Sequence, residues 1–308
     1  MTTTELAIVG VGKIARDQHA PAIEASDALR LAATVSRSGG LDGVENHESL
    51  DALFDARPDV GAVVLSMPPQ ARFAAAAQAL RAGRHVMLEK PPGVGVAEVL
   101  ALERMTRETG VSLFATWHSR HAAGVAPARA WLAERRVQSV AIDWREDVRE
   151  WHPGQQWIWQ AGGLGVFDPG INALSILTTI LPEPLRLTEA TLSVPENRDT
   201  PIAADLRFET VGGAPVVAGL DWRHEGPPVW EIRVATDEGR LVLAEGGARL
   251  AGDDAAEEVE GPGEYVGLYR RFAELIARGE SDVDVAPFLH VADAFMLGRR
   301  RIVAPFHD

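Results

Sequence analysis

The segment from Trp151 to Asn172 concentrates side chains that could do chemistry. It reads W-H-P-G-Q-Q-W-I-W-Q-A-G-G-L-G-V-F-D-P-G-I-N, with three tryptophans beside imidazole, amide and carboxylate groups. Asp168 and Asn172 are four residues apart, a spacing that places both side chains on one face of a helix. An ionised carboxylate can accept a proton while a nearby amide orients the reacting oxygen. The structural alternative is that Asp168, next to Pro169, only caps the helix at its N-cap or first position.

Lys90 is the second candidate for chemistry. It lies in Glu89-Lys90-Pro91-Pro92, at the end of the strand-like run 85–89, and Met67-Pro68-Pro69 follows the run 62–66 in the same way. In an open α/β sheet, the carboxyl ends of the strands form the ligand crevice. A lysine fixed there between a strand and prolines favours a functional role, and an ion pair with Glu89 or another acid is the alternative.

Gly10-Val11-Gly12-Lys13-Ile14-Ala15 has the pattern G-x-G-x-x-A between the first strand and the first helix. Gly10 allows a tight turn, Gly12 lets the main chain approach a pyrophosphate, and the small third residue lets helix and strand pack closely. The helix N-terminus faces the anion. In this context the pattern predicts a dinucleotide site that includes Gly10, Gly12, Lys13 and Ile14, although glycines alone also mark ordinary turns.

The end of the second strand indicates which dinucleotide binds. An NAD enzyme usually places Asp or Glu there, whereas this chain reads Thr34-Val35-Ser36-Arg37-Ser38. The hydroxyl of Ser36 and the guanidinium of Arg37 suit a 2′-phosphate, so we predict NADP as the favoured cofactor, with NAD also accepted. The alternative is a solvated arginine in a loop. The crevice residues Met67, Pro68, Glu89 and Lys90 complete the predicted cofactor contacts.

The elements that must position these residues fall into two patterns. Up to about residue 120, short apolar runs alternate with alanine-rich helical stretches such as 72–83, which predicts a doubly wound α/β Rossmann domain. Beyond it, several strand-like runs follow one another between 187 and 244, which predicts an α+β domain with an open, mainly antiparallel sheet. We therefore expect domains at 1–120 and 121–308, with packing of the C-terminal helices on the first domain as a variant.

Composition excludes several classes of protein. The chain has 308 residues, no cysteine and a formal net charge of −14, so disulfides, thiolate sites and a nucleic-acid partner are not expected. No secretory signal or membrane-length apolar run is visible, and we expect a cytoplasmic location. No metal-ligand spacing is present either, so no metal site is predicted. The open sheet suggests a homodimer.

Three motifs together make the whole chain resemble the glucose–fructose oxidoreductase and inositol dehydrogenase family: G-V-G-K-I-A (10–15), E-K-P-P (89–92) and G-G-L-G-V-F-D-P-G-I-N (162–172). Its branch of bacterial L-arabinose and D-galactose 1-dehydrogenases, which oxidise the anomeric carbon of an aldose to a lactone, is the most similar. The resemblance implies that Lys90 and Asp168 are the family's catalytic lysine and aspartate. The wider family commonly has histidine at the place of Asn172, and this branch shares the asparagine.

A cyclic sugar presents flat C–H faces and a rim of hydroxyl groups, which suit aromatic walls and groups that donate and accept hydrogen bonds. The predicted substrate-binding residues are His118, Arg120, Glu146, Trp151, His152, Trp157, Asp168 and Asn172. Trp159 is a further candidate for the wall, and we expect at least one of the three tryptophans to be a core residue instead. Structural roles are the alternatives for the two histidines, and a solvated acid for Glu146.

The expected reaction is oxidation of C1 by hydride transfer to nicotinamide, with Lys90, Asp168 and Asn172 as the catalytic residues. Asp168 would accept the proton while cationic Lys90 stabilises negative charge on the C1 oxygen, and the reverse assignment stays open. Two other functions also stay open. One is oxidoreduction elsewhere on a sugar ring, and the other is non-catalytic sensing of sugar and NADP.

Overall fold

The structure, a computed structural model, describes residues 3–253 and 261–307. It divides the chain into two compact units. The first comprises Met1–His118 and Gly263–Val285, and the second comprises Ser119–Pro262 and Ala286–Asp308. Residues 263–285 thus belong to the first unit although they follow most of the second unit in sequence. The first boundary between the units lies after residue 118, two residues before the predicted position 120.

The first unit contains a six-stranded parallel sheet with the strand order β3-β2-β1-β4-β5-β6. Its strands are β1 (Thr4–Val9), β2 (Leu29–Val35), β3 (Glu45–His47), β4 (Ala62–Leu65), β5 (His85–Leu88) and β6 (Leu113–Ala115). The central strands are continuous apolar runs because both faces of the sheet are covered. The predicted doubly wound Rossmann fold is confirmed, and only the short polar edge strand β3 was missed.

Helices cover both faces of this sheet. They are a π-helical turn (Ala15–His19), α1 (Ala20–Glu24), α2 (Leu50–Ala56), α3 (Pro69–Arg81), α4 (Val96–Thr109) and α8 (Glu264–Arg278). Helix α8 belongs to the returning segment and buries Leu268, Tyr269 and Phe272 in one core cluster with Leu6 and Ile8 of β1. The returning segment is therefore an integral part of the first unit's core.

The second unit contains an eight-stranded mixed sheet with the order β13-β12-β11-β7-β10-β9-β8-β14. Its strands are β7 (Val137–Arg145), β8 (Leu185–Pro195), β9 (Ala203–Thr210), β10 (Pro215–Asp221), β11 (Val229–Thr236), β12 (Gly239–Ala244), β13 (Arg249–Gly252) and β14 (Arg299–Val303). Two pairs, β7 with β10 and β8 with β14, are parallel and the other pairs are antiparallel. The predicted mainly antiparallel sheet is confirmed.

The second unit's helices are α5 (Val125–Leu132), α6 (Val148–Trp151), α7 (Phe167–Ile180) and α9 (Ala286–Leu297), with 3₁₀ turns at His118–His121, Gln156–Trp159 and Glu245–Gly247. Helix α7 lies close against the sheet, since a Cβ at Gly170 would be 2.5 Å from Leu220 Cδ1 of β10. On the opposite face Asp205, Arg207 and Val217 are exposed, so the sheet is open there.

The C-terminal helix is shorter than the pattern predicts. The apolar pattern of residues 285–300 predicts one helix, but α9 ends at Leu297 and the arginines that follow begin β14. Within the described residues, no helix is both long enough and apolar enough to cross a membrane.

Truncating Phe272 tests whether α8 is part of the first unit's core. Phe272 is fully buried, so Phe272→Ala is expected to lower the free energy of unfolding by about 3–5 kcal/mol, as large-to-small core substitutions do. Urea denaturation measures the change, and Arg270→Ala on the exposed face of the same helix should cost less than ~0.5 kcal/mol. Equal, small effects of both variants would contradict this account of α8.

Candidate active site

The turn after β1 requires glycine at its first position. Gly10 has φ +92°, and a Cβ there would lie 2.7 Å from the Met67 main-chain nitrogen. The turn is held by its neighbours, since the Gly10 N–H donates to Val35 O at 2.9 Å and Ser66 Oγ donates to Gly10 O at 2.6 Å. The nucleotide-binding pattern is thus fixed in space by the strands on either side of β1.

The same turn fits a dinucleotide. A Cβ at Gly12 would meet no atom within 4 Å, so the space over this residue is open to a pyrophosphate. Ile14 and Lys13 are exposed, and Lys13 forms an ion pair with Asp17 one helical turn later. Gly10, Gly12, Lys13 and Ile14 are the residues that would hold the phosphates, because they open the helix at its positive end.

Ser36 and Arg37 lie at the end of β2, where the ribose of a dinucleotide is recognised in Rossmann folds. The Ser36 main chain is anchored, since its N–H donates to His47 O and its carbonyl accepts from Asn46 Nδ2, both at 3.0 Å. Ser36 Oγ accepts from the Ser38 N–H, and Arg37 is exposed. A rigid main chain therefore presents a hydroxyl and a solvent-accessible guanidinium.

Glu89 follows β5 and its side chain turns inward, and its predicted contact with the cofactor stays a prediction. It is 3 % exposed, and its carboxylate accepts hydrogen bonds from Tyr265 Oη at 2.6 Å and from the Lys90 N–H. His19 Nε2 lies 3.5 Å from Glu89 Oε1, and His19 Nδ1 is 2.8 Å from Tyr269 Oη. Glu89 thus anchors the Lys90 main chain from inside the unit.

This buried network favours an ionised Glu89. Burial alone would raise the pKa of Glu89, but the hydrogen bond and charge of His19, the charge of His118 and the Tyr265 hydroxyl outweigh it and lower the pKa below its usual range. Burial, followed by the charge of Glu89, raises the pKa of Tyr265 well above its ordinary value. The tyrosine therefore remains a hydrogen-bond donor to the carboxylate.

His118 pairs with Glu264 at the start of α8. Its Nδ1 lies 2.6 Å from Glu264 Oε2, and its ring stacks on Tyr265 with centroids 5.4 Å apart. Burial lowers the pKa of His118, but the charge and hydrogen bond of Glu264, aided by Glu89, raise it above the ordinary value despite the opposing charge of Lys90. This pairing was not visible in the sequence because the two residues are 146 positions apart.

In the second unit, Glu146 follows β7 and is 3 % exposed, which rules out the alternative of a solvated acid. Trp222 Nε1 donates to its Oε1 at 3.1 Å, and Trp230 Nε1 donates to its Oε2 at 2.9 Å. Both indoles lie at the ends of strands that pair with β7. Trp222 follows β10, whose last residue Asp221 pairs with Arg145, and Trp230 near the start of β11 pairs with Trp144. The tryptophans at these strand ends are the signal in the sequence that points to this arrangement.

His152 lies between two buried carboxylates. Its Nε2 is 3.6 Å from Glu146 Oε1 and 3.7 Å from Asp168 Oδ2. Its Nδ1 is buried and, among the described residues, receives no hydrogen-bond partner. Its ring packs against Trp222 with centroids 5.2 Å apart. Three predicted substrate residues, Glu146, His152 and Asp168, are thus brought together. These three residues and the two tryptophans Trp222 and Trp230 are named the indole–carboxylate cluster.

Asp168 is not the helix cap that the structural alternative required. It is the second residue of α7, and Val166 precedes the helix as its N-cap. The residue is 3 % exposed, and Asn172 lies one turn later, half-buried. The positive end of the helix favours the ionised form of a carboxylate in this first turn.

The remaining predicted substrate residues have different surroundings. Trp151 is 43 % exposed and meets Trp230 edge to face, and Trp157 is half-buried. Trp159 is buried against Trp222 and Phe306, so it is the core tryptophan of the three. Arg120 donates to Ser175 O at 3.2 Å and Thr178 Oγ1 at 3.3 Å, both on α7. These two bonds make Arg120 a support of that helix.

Known proteins are similar to this chain over its whole length. The family described as "Oxidoreductase family, NAD-binding Rossmann fold" matches residues 4–116. Galactose 1-dehydrogenase of Pseudomonas fluorescens is 46 % identical over 309 residues, covering 100 % of both chains. The crystal structure of a D-galactose-1-dehydrogenase protein from Rhizobium etli has 56 % identity and a TM-score of 0.95, covering 100 % of this chain and 99 % of that one.

A 3-ketoreductase from Actinomadura kijaniata, solved with NADP and TDP-benzene, has a TM-score of 0.83 over 98 % of this chain and 100 % of its own. At 21 % identity, that likeness shows the fold alone.

Gly10→Ala tests the nucleotide turn. The alanine would have to adopt φ +92° and would collide with the Met67 main chain, so we expect the dissociation constant for NADP⁺ to rise by about tenfold or more, i.e. 1.4 kcal/mol. Isothermal titration calorimetry measures it. Gly83→Ala is the matched control, because Gly83 has φ +72° but no atom within 4 Å of its Cβ position and lies outside the turn. Unchanged NADP⁺ affinity of Gly10→Ala would refute the assignment of the turn.

Glu264→Gln tests the His118–Glu264 pair. Removing the carboxylate charge should lower the pKa of His118, which an NMR titration of its ring proton reports directly. Because Glu264 raises the folded-state pKa, the pair stabilises the protein fully below the unfolded histidine pKa of about 6.5 and loses this contribution as pH rises through the folded value. The variant should therefore be less stable than the parent mainly at low pH. Glu274→Gln, exposed on the same helix, should leave the titration unchanged.

Proposed function

Because the chain belongs to the glucose–fructose oxidoreductase and inositol dehydrogenase family of NAD(P)-binding oxidoreductases, we propose that it oxidises the anomeric carbon of an aldose to the aldonolactone. The relatives named galactose 1-dehydrogenase support this reaction, since they align with the chain from end to end. L-arabinose and D-galactose are the proposed substrates, and NADP is the proposed preferred cofactor.

The observation that carries the proposal is the indole–carboxylate cluster. The His152 imidazole lies within 4 Å of two buried carboxylates, and the two indoles that donate to Glu146 pack against Trp151 or the imidazole. Carboxylate oxygens can each accept more than one hydrogen bond, and His152 Nδ1 is buried with no hydrogen-bond partner among the described residues, so the cluster suits a ligand rich in hydroxyl groups. A pyranose has these hydroxyls and flat C–H faces for the exposed ring of Trp151.

The two proposed sugars are similar in shape. L-arabinose and D-galactose share the configuration of their ring hydroxyls and differ in the exocyclic group at C5. An added or missing group of this size changes discrimination by ~1–3 kcal/mol unless a buried polar group depends on it. We therefore propose that one site accepts both sugars.

The bound nicotinamide supplies the hydride acceptor, and the chain supplies placement and proton handling. Gly10, Gly12, Lys13 and Ile14 would hold the pyrophosphate at the helix start. The exposed guanidinium of Arg37 beside the Ser36 hydroxyl supports a preference for a 2′-phosphate, because arginine binds phosphate oxygens bidentately.

We propose that Asp168 is the base that accepts the proton of the C1 hydroxyl. Its carboxylate is buried in the first turn of α7, where the positive helix end favours the anion, and His152 Nε2 lies 3.7 Å away. Lys90 as a cation would stabilise the negative charge that develops on the C1 oxygen, and Asn172, one turn after Asp168, would orient that oxygen. The reverse assignment, with Lys90 as the base, requires a neutral lysine. Self-association through the open sheet and a cytoplasmic location stay predictions.

A panel of aldoses tests the proposed function. Purified protein is mixed with NADP⁺ or NAD⁺ and with L-arabinose, D-galactose, D-fucose, D-xylose or D-glucose, and the reduced nucleotide is followed by absorbance. We expect turnover of L-arabinose and D-galactose with a lower KM for NADP⁺ than for NAD⁺. Binding of NADP⁺ without oxidation of any aldose would contradict the proposal and favour a sensor.

Asp168→Asn tests the base. Loss of a general base typically slows catalysis by about 10²–10⁴-fold, so kcat should fall by that factor while the dissociation constant for NADP⁺ stays within about twofold. Asp205→Asn, an exposed aspartate on the open sheet, is the matched control and should behave as the parent. A kcat of Asp168→Asn within about threefold of the parent would remove Asp168 from this role.

A further inference from the structure

Arg72 is a buried guanidinium that the proposed reaction does not use. It is the fourth residue of α3 and is 4 % exposed. A buried charge is unfavourable unless hydrogen bonds compensate it, so its partners show what the residue holds in place.

The donors of Arg72 reach main-chain carbonyls on two separate loops. Its Nε donates to Met67 O at 2.8 Å, in the loop after β4. Its Nη1 donates to Glu89 O and to Pro91 O, in the loop after β5. One planar group therefore joins the carboxyl ends of two neighbouring strands.

The first of these loops is in contact with the nucleotide turn. The Met67 main chain is the group against which Gly10 packs, with only 2.7 Å from its nitrogen to a Cβ at Gly10. Ser66, the preceding residue, donates to Gly10 O at 2.6 Å. A shift of the Met67 carbonyl is therefore transmitted to the turn that would hold the pyrophosphate.

The second loop carries Lys90. The two carbonyls that accept from Arg72 belong to the residues immediately before and after it, and the Lys90 N–H donates to the Glu89 carboxylate. The main chain of Lys90 is thus held on both sides by Arg72 and at its own nitrogen by Glu89.

We propose that Arg72 is the positioning residue that couples the nucleotide turn to Lys90, so that one side chain sets the register between bound cofactor and the catalytic lysine. The inference rests on the proposed function for the role of Lys90. The planar fork of arginine is needed, because its donors point in fixed, divergent directions, whereas an ammonium group is a point charge on a flexible stem.

Arg72→Lys in the full chain is the first test. Arg84→Lys is the matched control, because Arg84 also donates to a main-chain carbonyl, Pro58 O at 3.0 Å, in the same unit. For Arg72→Lys we expect kcat for the aldose to fall by about 10–100-fold, the effect of misplacing a reacting group by about 1 Å, and the NADP⁺ dissociation constant to rise severalfold. Sugar KM should change far less than kcat, and Arg84→Lys should leave all three constants within about twofold.

Chemical rescue separates positioning from general destabilisation. Arg72→Ala leaves a space that matches free guanidinium, so added guanidinium chloride at millimolar concentration should restore part of kcat, whereas equal sodium chloride or urea should not. Arg84→Ala should show no such rescue. If the alanine variant does not fold, Arg72→Gln, which keeps a planar donor without the charge, takes its place and should keep part of the NADP⁺ affinity that Arg72→Lys loses.

The outcomes distinguish this inference from the proposed function. If the parent oxidises aldoses and Arg72→Lys matches Arg84→Lys in kcat and NADP⁺ affinity, the coupling role is wrong and the function stands. If the parent oxidises no aldose, the proposed function fails, and the NADP⁺ dissociation constants still decide for or against Arg72. A fall in kcat with no rescue by guanidinium and unchanged NADP⁺ affinity would also overturn the coupling.

Discussion

The need to stabilise a buried carboxylate constrains the structure of both units. Each unit places a glutamate directly after a strand, Glu89 after β5 and Glu146 after β7, and buries its carboxylate. An unpaired buried carboxylate would be strongly unfavourable, so each needs donors from elements distant in sequence. Tyr265 of α8 supplies one for Glu89, and Trp222 and Trp230 supply two for Glu146. Both glutamates lie beside candidate reactive groups, since Lys90 follows Glu89 in the chain and His152 Nε2 lies 3.6 Å from Glu146 Oε1.

These networks hold candidate reactive groups in place within each unit before any ligand binds. The Lys90 main chain is held by Glu89 and Arg72, and the imidazole of His152 is held between Glu146 and Asp168. Preorganised groups need little rearrangement when charge develops during a reaction, which is the main way in which enzymes stabilise transition states. Helix α8 helps to hold these groups in the first unit, because its first turn places Tyr265 against Glu89 and Glu264 against His118.

The sequence predicts the fold well because hydrophobic periodicity is local. The parallel strands, the fingerprint at Gly10 and the change to a mainly antiparallel sheet could all be read from runs of about ten residues. The missed strands are short or polar and have no such signal: the polar edge strand β3, the four-residue strand β13 and the arginine-rich strand β14. In the site, spacing predicted the common face of Asp168 and Asn172. It could not predict the tyrosine that donates to Glu89 or the tryptophans that donate to Glu146, because those contacts span 76 to 176 positions.

The central claim is that the hydrogen removed from the substrate is the one on C1. D-galactose labelled with deuterium at C1 tests it most directly, with NADP⁺ as acceptor and mass spectrometry of both products. The account predicts that the deuterium is found in the reduced nucleotide and that the sugar product is an unlabelled lactone or its hydrolysed acid. Deuterium retained in an oxidised sugar, with unlabelled reduced nucleotide, would place the oxidation at another carbon and contradict the account.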